Sequence, residues 1–461
     1  MKYYIQIFGC QMNESDAERA RTILAGLGYE PTEHESEANL IMVLACAVRQ
    51  KAVDRIFGRA ERWAQYRATR PFVTVLTGCV LDADKRTLSQ MFDYILPTKD
   101  LNRLPELLKS KPTNPVVSTT APLDEYFSIA PSYQSTFQAF VPISSGCNKF
   151  CSYCAVPLTR GREVSRLPDD IITEVLALVS KGYKEITLLG QNVNSYGWDF
   201  EGVAINLPKQ KVSIMKSNAA GKLEIQKRSV SNPMNFSQLL NNVANFDGNY
   251  WIRFITSHPY DMNDQLIETM ARNHRITPYV HLAVQSGSNH VLKRMNRQYT
   301  IEHYLGRVAK IRQLIPNATI STDIIVGFCG ETEADYQATE KLVRKARFDM
   351  AYIAQYSPRP GNAAYDWPDD VTPADKLSRF NRLNAVLAEV ALENNQPLAG
   401  MEQDVLVERC KNGTAYGHTK GFKNIKFATN INLTGQFVRV KVSGATAWSL
   451  NGTSPDKQDE K

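Results

Sequence analysis

The 461-residue chain is predicted to be a multidomain α/β protein: an N-terminal parallel α/β sheet, a central parallel (β/α) barrel, partial or complete, and a small C-terminal β-barrel. Three observations predict it. Short apolar runs alternate with helix-like stretches from Tyr3 to Tyr356, as repeated βα units do. Beyond Pro397 the pattern changes to closely spaced short strands, the spacing of a small closed barrel. The chain also exceeds one ordinary domain, so two to four are expected. A composition of 43% hydrophobic and 22% charged residues is that of an ordinary globular protein. The longest apolar run, Asn39 to Val48, falls short of the roughly 20 residues needed to cross a bilayer, so no membrane association is expected. Met1 leads into Gly9-Cys10 without a small-residue cleavage site. A cytoplasmic location with reduced cysteines is therefore expected. The net charge of +7 leans mildly toward a polyanionic partner, because Lys and Arg neutralise phosphates.

Within residues 1–110, the runs Tyr3 to Cys10, Leu40 to Cys46 and Phe72 to Cys79 read as buried strands, each ending on a cysteine. Each interval between those cysteines fits one helix and the next strand. The first helix is expected over Asn13 to Leu24, opened by Asn13, Ser15 and Asp16 and stopped by Gly26 and Gly28. A second is expected over Val48 to Tyr66. Strands of a parallel sheet point one way, so Cys10, Cys46 and Cys79 are predicted to reach one carboxyl edge, where open α/β sheets hold ligands. The plainer reading is three unrelated buried thiols. Identical placement at three strand ends favours a single three-cysteine metal site.

The stretch from Leu101 to Gln134 is rich in Pro, Ser and Thr, and a linker is expected over 111–133. Residues 134–375 carry the predicted barrel. Its strands are read at Ala139 to Ile143, Glu185 to Leu189, Tyr250 to Ile255, Tyr279 to Val284, Ala318 to Val326 and Met350 to Tyr356, and Asp169-Asp170 cap a helix running to Ser180. Polar residues just past the strands should line the mouth: Gln191, Asn192, Ser257, His258, Gln285, Ser286, Asp323 and Tyr356. The first strand delivers Cys147, Cys151 and Cys154 in a CxxxCxxC run. Three cysteines so close on one loop point to metal ligation rather than disulfides. Thiolates at this density suit iron–sulfur or zinc. The usual zinc pattern needs a further Cys/His pair nearby, yet the next histidine is His258. A cluster held by three cysteines keeps one iron open to an outside ligand, as a catalytic cluster requires. Residues 200–232 read as a basic surface insertion, with a flap over RNA as the alternative. Cys329 and Cys410 have no CxxC companion and are read as structural. Arg160 and Arg162 read either as a charged solvated loop or as a substrate or cofactor contact.

A connecting helix is expected over 376–396. From 397 to 453, strands at Asp404 to Glu408, Thr414 to His418, Ile425 to Phe427 and Phe437 to Val442 suggest a barrel. Seven Lys/Arg against three Asp/Glu between Pro397 and Gly452 make it basic, and Tyr416, Phe422 and Phe427 are candidates for base stacking. Residues 454–461 are polar and expected to be disordered.

The CxxxCxxC run resembles the signature of the radical S-adenosylmethionine (SAM) enzymes. Gly9-Cys10-Gln11-Met12-Asn13, Cys46 with Val48-Arg49 and Lys51-Ala52, and Gly78-Cys79 resemble the methylthiotransferases of that group, within them the MiaB type that modifies tRNA. So do Thr159 to Glu163, Gly190 to Tyr196, Gln285 to Ser288, Met295 to Arg297, Ser321 to Phe328 and Tyr356 to Gly361. The C-terminal barrel, closing on Ser449-Leu450-Asn451-Gly452, resembles the TRAM domain that ends this family. The resemblance implies a central domain of radical SAM type and two 4Fe–4S clusters, one on Cys147, Cys151 and Cys154 and one on Cys10, Cys46 and Cys79. It implies SAM as the source of radical and methyl group, with Gln191, Asn192, Gln285 and Asp323 as candidate SAM contacts. Arg253, Ser257 and His258 are candidate substrate contacts, because Thr256-Ser257-His258-Pro259 resembles the enzyme for isopentenyl-adenosine. The implied reaction adds a methylthio group to C2 of isopentenyl-adenosine next to the anticodon, at tRNA position 37. The 5′-deoxyadenosyl radical takes the ring hydrogen, and a methylated sulfur on the second cluster joins the carbon. Alternatives are threonylcarbamoyl-adenosine in tRNA, a ribosomal protein, or a non-catalytic RNA-binding iron–sulfur protein. Implied partners are tRNA, an electron donor such as flavodoxin or ferredoxin, and an unidentified sulfur donor; a monomer is expected. Departures from the family pattern lie at Leu44-Ala45, Leu81-Asp82, Ala283 and Cys329, and the loss of proline at the last two loosens a turn.

Overall fold

The computed structural model describes residues 1–46, 50–67, 70–109, 115–117, 121–203 and 227–453. Most of the expected 200–232 insertion, the 454–461 tail and Val48-Arg49 lie outside them.

The first unit is a five-stranded parallel sheet of β1 (Lys2–Ile7), β2 (Glu30–Pro31), β3 (Leu40–Cys46), β4 (Val73–Cys79) and β5 (Tyr94–Ile95), in the order β2-β1-β3-β4-β5. Strand β3 is apolar along nearly its whole length because both faces are covered. Leu40, Met42 and Leu44 pack with Ala17, Ala20 and Leu24 of α1 (Gln11–Gly26), while Ile41, Val43 and Ala45 pack with Ile56 and Trp63 of α2 (Gln50–Arg67). Helix α1 starts two residues earlier than its Asn/Ser/Asp cluster indicates. Cys10 takes the capping position, and its carbonyl accepts from Asn13 N (2.8 Å). After α3 (Asp82–Leu88) and α4 (Leu104–Leu107), the chain expected as a linker folds back on this unit. Val116 bridges Ile95, and Val117, with Tyr126 and Phe127 of α5 (Leu123–Phe127), enters the core beside Leu40. Apolar side chains among the prolines drive that return.

In the central unit β6 (Gln138–Pro142) is followed by a small antiparallel pair, β7 (Ser144–Ser145) and β8 (Val164–Ser165), with α6 (Val156–Thr159) between them. Strands β9 (Glu185–Leu189) and β10 (Trp251–Phe254) extend the sheet β6-β9-β10, and β11 (Tyr279–His281), β12 (Thr319–Val326) and β13 (Met350–Gln355) form a second. Bridges Ile252–Ile276 and Ser257–Leu282 join the two into one curved wall. Among the described residues no pairing joins β13 back to β6, so the barrel is partial. Strand β10 is shorter than its apolar run because Thr256 (φ 72°) turns left-handed and interrupts the ladder, and β11 stops at His281. Helix α1 of the first unit packs against β6, with Ser15 Oγ donating to Phe140 O (3.5 Å).

A long helix, Pro373–Asn395, leads to the closed barrel of β14 (Glu402–Lys411), β15 (Thr414–Thr419), β16 (Asn424–Ala428), β17 (Phe437–Ala445) and β18 (Leu450–Thr453). This barrel plugs the amino end of the central strands. His418 Nε2 lies 3.0 Å from Glu185 Oε2, the Phe437 and Trp251 rings are 4.5 Å apart, and Lys423 Nζ reaches Asp349 at 2.5 Å. Two of the three aromatics expected for stacking on RNA are consumed by packing. Phe427 is in the small barrel's core, and Phe422 lies 5.0 Å from the Tyr279 ring. The opposite, carboxyl end of the central strands carries the cysteine loop, as the barrel topology requires.

Candidate metal centre

Chain direction delivers Cys147. Strand β6 ends at Pro142, Ile143 N still bonds Leu189 O (2.8 Å), and the chain then turns through Gly146 at φ +86°. A Cβ there would sit 2.1 Å from Arg162 O, so only glycine lets the two loops touch. Gln191 Oε1 accepts the Gly146 N–H at 2.6 Å. The segment after Arg294 clamps the rest of the loop: Asn296 Nδ2 donates to Phe150 O (2.9 Å), Ser152 Oγ to Arg294 O (2.9 Å), and Arg297 Nη1 to Cys151 Sγ (3.3 Å). Lys149 Nζ is ion-paired with Asp261 (2.7 Å), which also accepts from Asn192 Nδ2 (2.7 Å). Burial and the neighbouring Glu163 raise the Cys147 thiol well above its ordinary value, and burial with Cys151 pushes Cys154 up to about 12. Glu163 itself is lifted by burial to about 8, against the bond it accepts from Ser195 Oγ. Without metal, Cys147 and Cys154 favour the protonated thiol, and loading them would release protons.

The second triad forms as parallel strands demand. Cys46 and Cys79 are register partners at the ends of β3 and β4, and Cys10 follows β1 at the start of α1. Gly78, at φ +93°, would place a Cβ 2.5 Å from Ala45 O, so glycine permits the close approach just before the thiols. Cys10 is exposed, yet the protein crowded around it raises its thiol, an effect opposed by Arg160 and reinforced by Cys79. The two triads lie within electrostatic reach, since Cys79 also raises Cys154. Leu81, just past Cys79, packs on Ala155, just past Cys154. Arg160 donates through Nε to Cys79 Sγ at 3.2 Å. None of the eight cysteines is in a disulfide.

Among the described residues no three Cys, His, Asp or Glu side chains close on one point as a single ion requires. A cluster of several irons and sulfides is wider than an ion and needs its thiolates held apart. An all-thiol donor set with arginine N–H groups turned on its sulfurs fits such a cluster better than zinc.

The remaining predicted residues divide. Asn192 Oδ1 accepts from His258 N (3.1 Å), so Gln191 and Asn192 brace the loop. Ser257 Oγ and His258 Nε2 are buried without a hydrogen-bond partner among the described residues. Burial, with Arg297 and Lys149 nearby, holds the His258 imidazole neutral, far below its usual pKa. Asp323 Oδ2 lies 3.1 Å from His281 Nε2, and Gln285, three residues beyond the bridged Leu282, pairs with Ile324. Ser286 and Tyr356 are packed, the latter bonded to Ala364 O (3.0 Å). Arg253 is placed elsewhere. Its guanidinium holds Glu185 (2.6 Å) and stacks 4.1 Å over Phe422 at the amino end, away from Ser257 and His258. Arg160 is not a solvated loop residue but lies between the triads. Lys149, Asp261, Arg297 and Asp16 were not singled out as site residues from the sequence. Only Arg297 left a trace, inside Met295-Asn296-Arg297.

Two sequence profiles match: "Radical SAM superfamily" over residues 141–343 and "Uncharacterized protein family UPF0004" over residues 2–96. The chain is 39% identical over 465 residues to the "tRNA-2-methylthio-N(6)-dimethylallyladenosine synthase" of Bacillus cereus (strain AH187), covering 98% of this chain and 85% of that one. It is 38% identical to the same-named proteins of Bacillus mycoides (strain KBAB4) and Bacillus pumilus (strain SAFR-032), with the same coverage. Among solved structures, the radical S-adenosylmethionine methyltransferase TsrM from Kitasatospora setae, with cobalamin and a [4Fe-4S] cluster bound, superposes with TM-score 0.52 at 12% identity, covering 90% of this chain and 80% of that one. That likeness is one of fold.

Proposed function

Because this chain belongs to the tRNA-2-methylthio-N(6)-dimethylallyladenosine synthase family of the radical SAM superfamily, we propose that its two cysteine triads hold two facing 4Fe–4S clusters. Cys147, Cys151 and Cys154 hold the one that takes SAM, and Cys10, Cys46 and Cys79 hold the second. The protein is a methylthiotransferase acting on isopentenyl-adenosine (dimethylallyl-adenosine) in tRNA. Bound there, the clusters and SAM supply the one-electron chemistry, methyl group and sulfur that a ring carbon closed to acid–base catalysis requires. The observation that carries this reading is the meeting of two triads, from the carboxyl edges of two parallel sheets, across the Leu81–Ala155 contact.

The chain's own residues then have definite tasks. Gln191 and the Lys149–Asp261–Asn192 chain hold the first loop rigid, so that its thiolates keep their separation. Arg297 stabilises the Cys151 thiolate by a charge-assisted bond. Ser257 and the neutral His258 offer polar atoms with no protein partner to the ligand that enters. Asp323, oriented by His281, contacts SAM or the base. On the C-terminal barrel, Arg409, Tyr416 and Lys426 are register neighbours on β14, β15 and β16, a cationic and aromatic strip suited to RNA. The electron donor is of the flavodoxin or ferredoxin kind, the working unit is a monomer, and the location is the cytoplasm, where free thiols stay reduced.

Reconstituted protein is to be given SAM, reductant and tRNA carrying isopentenyl-adenosine, with nucleosides read by mass spectrometry. Wild type is expected to yield the methylthio nucleoside. Cys147→Ala should give neither it nor 5′-deoxyadenosine, and Cys10→Ala should give 5′-deoxyadenosine without the methylthio product. Product only on threonylcarbamoyl-adenosine or a ribosomal protein would move the substrate, and no 5′-deoxyadenosine from wild type would remove the enzyme.

A further inference from the structure

We propose that Arg160 is a positioning residue for the second cluster, contributed by the unit that holds the first, and that its N–H bond to Cys79 Sγ sets that cluster's reduction potential. This rests on the preceding assignment of Cys10, Cys46 and Cys79 as cluster ligands.

Arg160 follows helix α6, which begins just past Cys154, and its own N–H bonds Val156 O (2.9 Å), so its backbone belongs to the first triad's loop. Its side chain crosses to the other unit. Nε lies 3.2 Å from Cys79 Sγ, while Nη2 lies 2.6 Å from Asp16 Oδ2. Both partners are deeply buried, with side-chain exposures of 4% for Arg160 and 0% for Asp16. Asp16 is fixed in turn by Tyr126, whose hydroxyl donates to Oδ1 (2.5 Å), and by Asn13 Nδ2 (3.4 Å). A guanidinium is a rigid planar fork, so anchoring one arm on Asp16 aims the Nε–H at the sulfur. Asn13 also touches Cys10, with Oδ1 3.4 Å from Cys10 N, so one hydrogen-bonded chain serves two of the three ligands. Removing a guanidinium buried here would leave the Asp16 carboxylate with the Tyr126 and Asn13 hydrogen bonds but no facing charge at Oδ2.

Hydrogen bonds to cluster sulfurs and the net charge nearby set iron–sulfur potentials. A donor N–H on a cationic group stabilises the reduced, more negative form and raises the potential. Losing it should shift the second cluster negative and leave the first, whose Cys151 has its own donor in Arg297, unchanged.

The test is an anaerobic redox titration of the reconstituted full chain, followed by electron paramagnetic resonance, alongside iron and sulfide analysis. A Cys147→Ala, Cys151→Ala, Cys154→Ala variant assigns which signal belongs to the second cluster. Arg160→Gln is expected to shift that signal to a more negative potential and alter its spectrum. Arg160→Lys, which keeps charge but not the fork, should shift it in the same direction but less. An unmoved potential in Arg160→Gln at full iron overturns the proposal. Should Arg160→Gln not take up iron, an unmoved potential in Arg160→Lys at full iron overturns it. If the triple variant carries no cluster with Arg160 intact, the ligand assignment itself fails and the proposal falls with it.

Discussion

Arg253 and Ser257 are four residues apart, yet they serve opposite ends of the barrel. The Arg253 side chain is buried against Glu185, with Nε and Nη2 both on Oε2 at 3.1 and 2.6 Å. Breaking a buried ion pair costs about 3–5 kcal/mol when the surviving charge has no other partner, and less where one remains, as His418 does for Glu185. Arg253→Met is therefore expected to lower unfolding free energy in a urea titration by less than that amount, while the folded fraction keeps its full iron. Unchanged stability with lost activity would instead return Arg253 to the substrate. The cysteines were legible as residues because three thiols on one short loop stay together in any fold. Asp16 was not legible, since a carboxylate at a helix start reads as a cap until Arg160, 144 residues away, is seen beside it.

Loops carry the chemistry here, and two glycines set their shape. Gly146→Ala must hold a Cβ at φ +86° against Arg162 O, and a left-handed residue with a side chain costs roughly 1–2 kcal/mol before any clash. Reconstituted Gly146→Ala should bind less iron than wild type, with the remaining signal that of the second cluster. Gly78→Ala should do the converse. The common strand direction in the parallel sheets was legible from strand-ending cysteines and βα spacing. The end of β10 was not, because Thr256 takes positive φ without being glycine, which composition does not reveal. On β14 to β16, Arg409→Ala with Lys426→Ala is expected to weaken tRNA binding and reduce its log–log salt slope by about 1 for each phosphate that is no longer neutralised. A slope equal to wild type would take this strip off the RNA path.

Across the whole molecule, the C-terminal barrel is docked through a charged joint. Burial would discharge His418, but Glu185 and Glu408 outweigh it and raise its pKa. Burial would also raise Glu185, but Arg253 and His418 outweigh it and hold the carboxylate well below its usual range. A raised histidine stabilises the fold fully below its unfolded value of about 6.5, and that contribution is lost as pH rises through the folded value. A depressed carboxylate contributes above its unfolded value of about 4.3, and the contribution is lost as pH falls toward the folded one. Docking should therefore be firmest between these limits. Hydrogen exchange at β15 is expected to quicken as pH climbs above 6.5, beyond the intrinsic rise in exchange rate, and His418→Gln should abolish that excess. An excess surviving in His418→Gln would move the switch elsewhere.

The order of the units, the parallel sheets, the two sets of three thiols and the family were all readable along the chain, because each is written in short-range spacing or in direction that a strand cannot reverse. The partners of Arg160, Arg253 and His418 were not. His418 meets Glu185 across 233 residues, and such pairs depend on how finished units pack, which no local pattern encodes. The same packing turned Phe422 and Phe427 from RNA candidates into a joint and a core. Burying an aromatic side chain stabilises by a few kcal/mol, which favours an apolar contact over an exposed ring wherever the fold provides one.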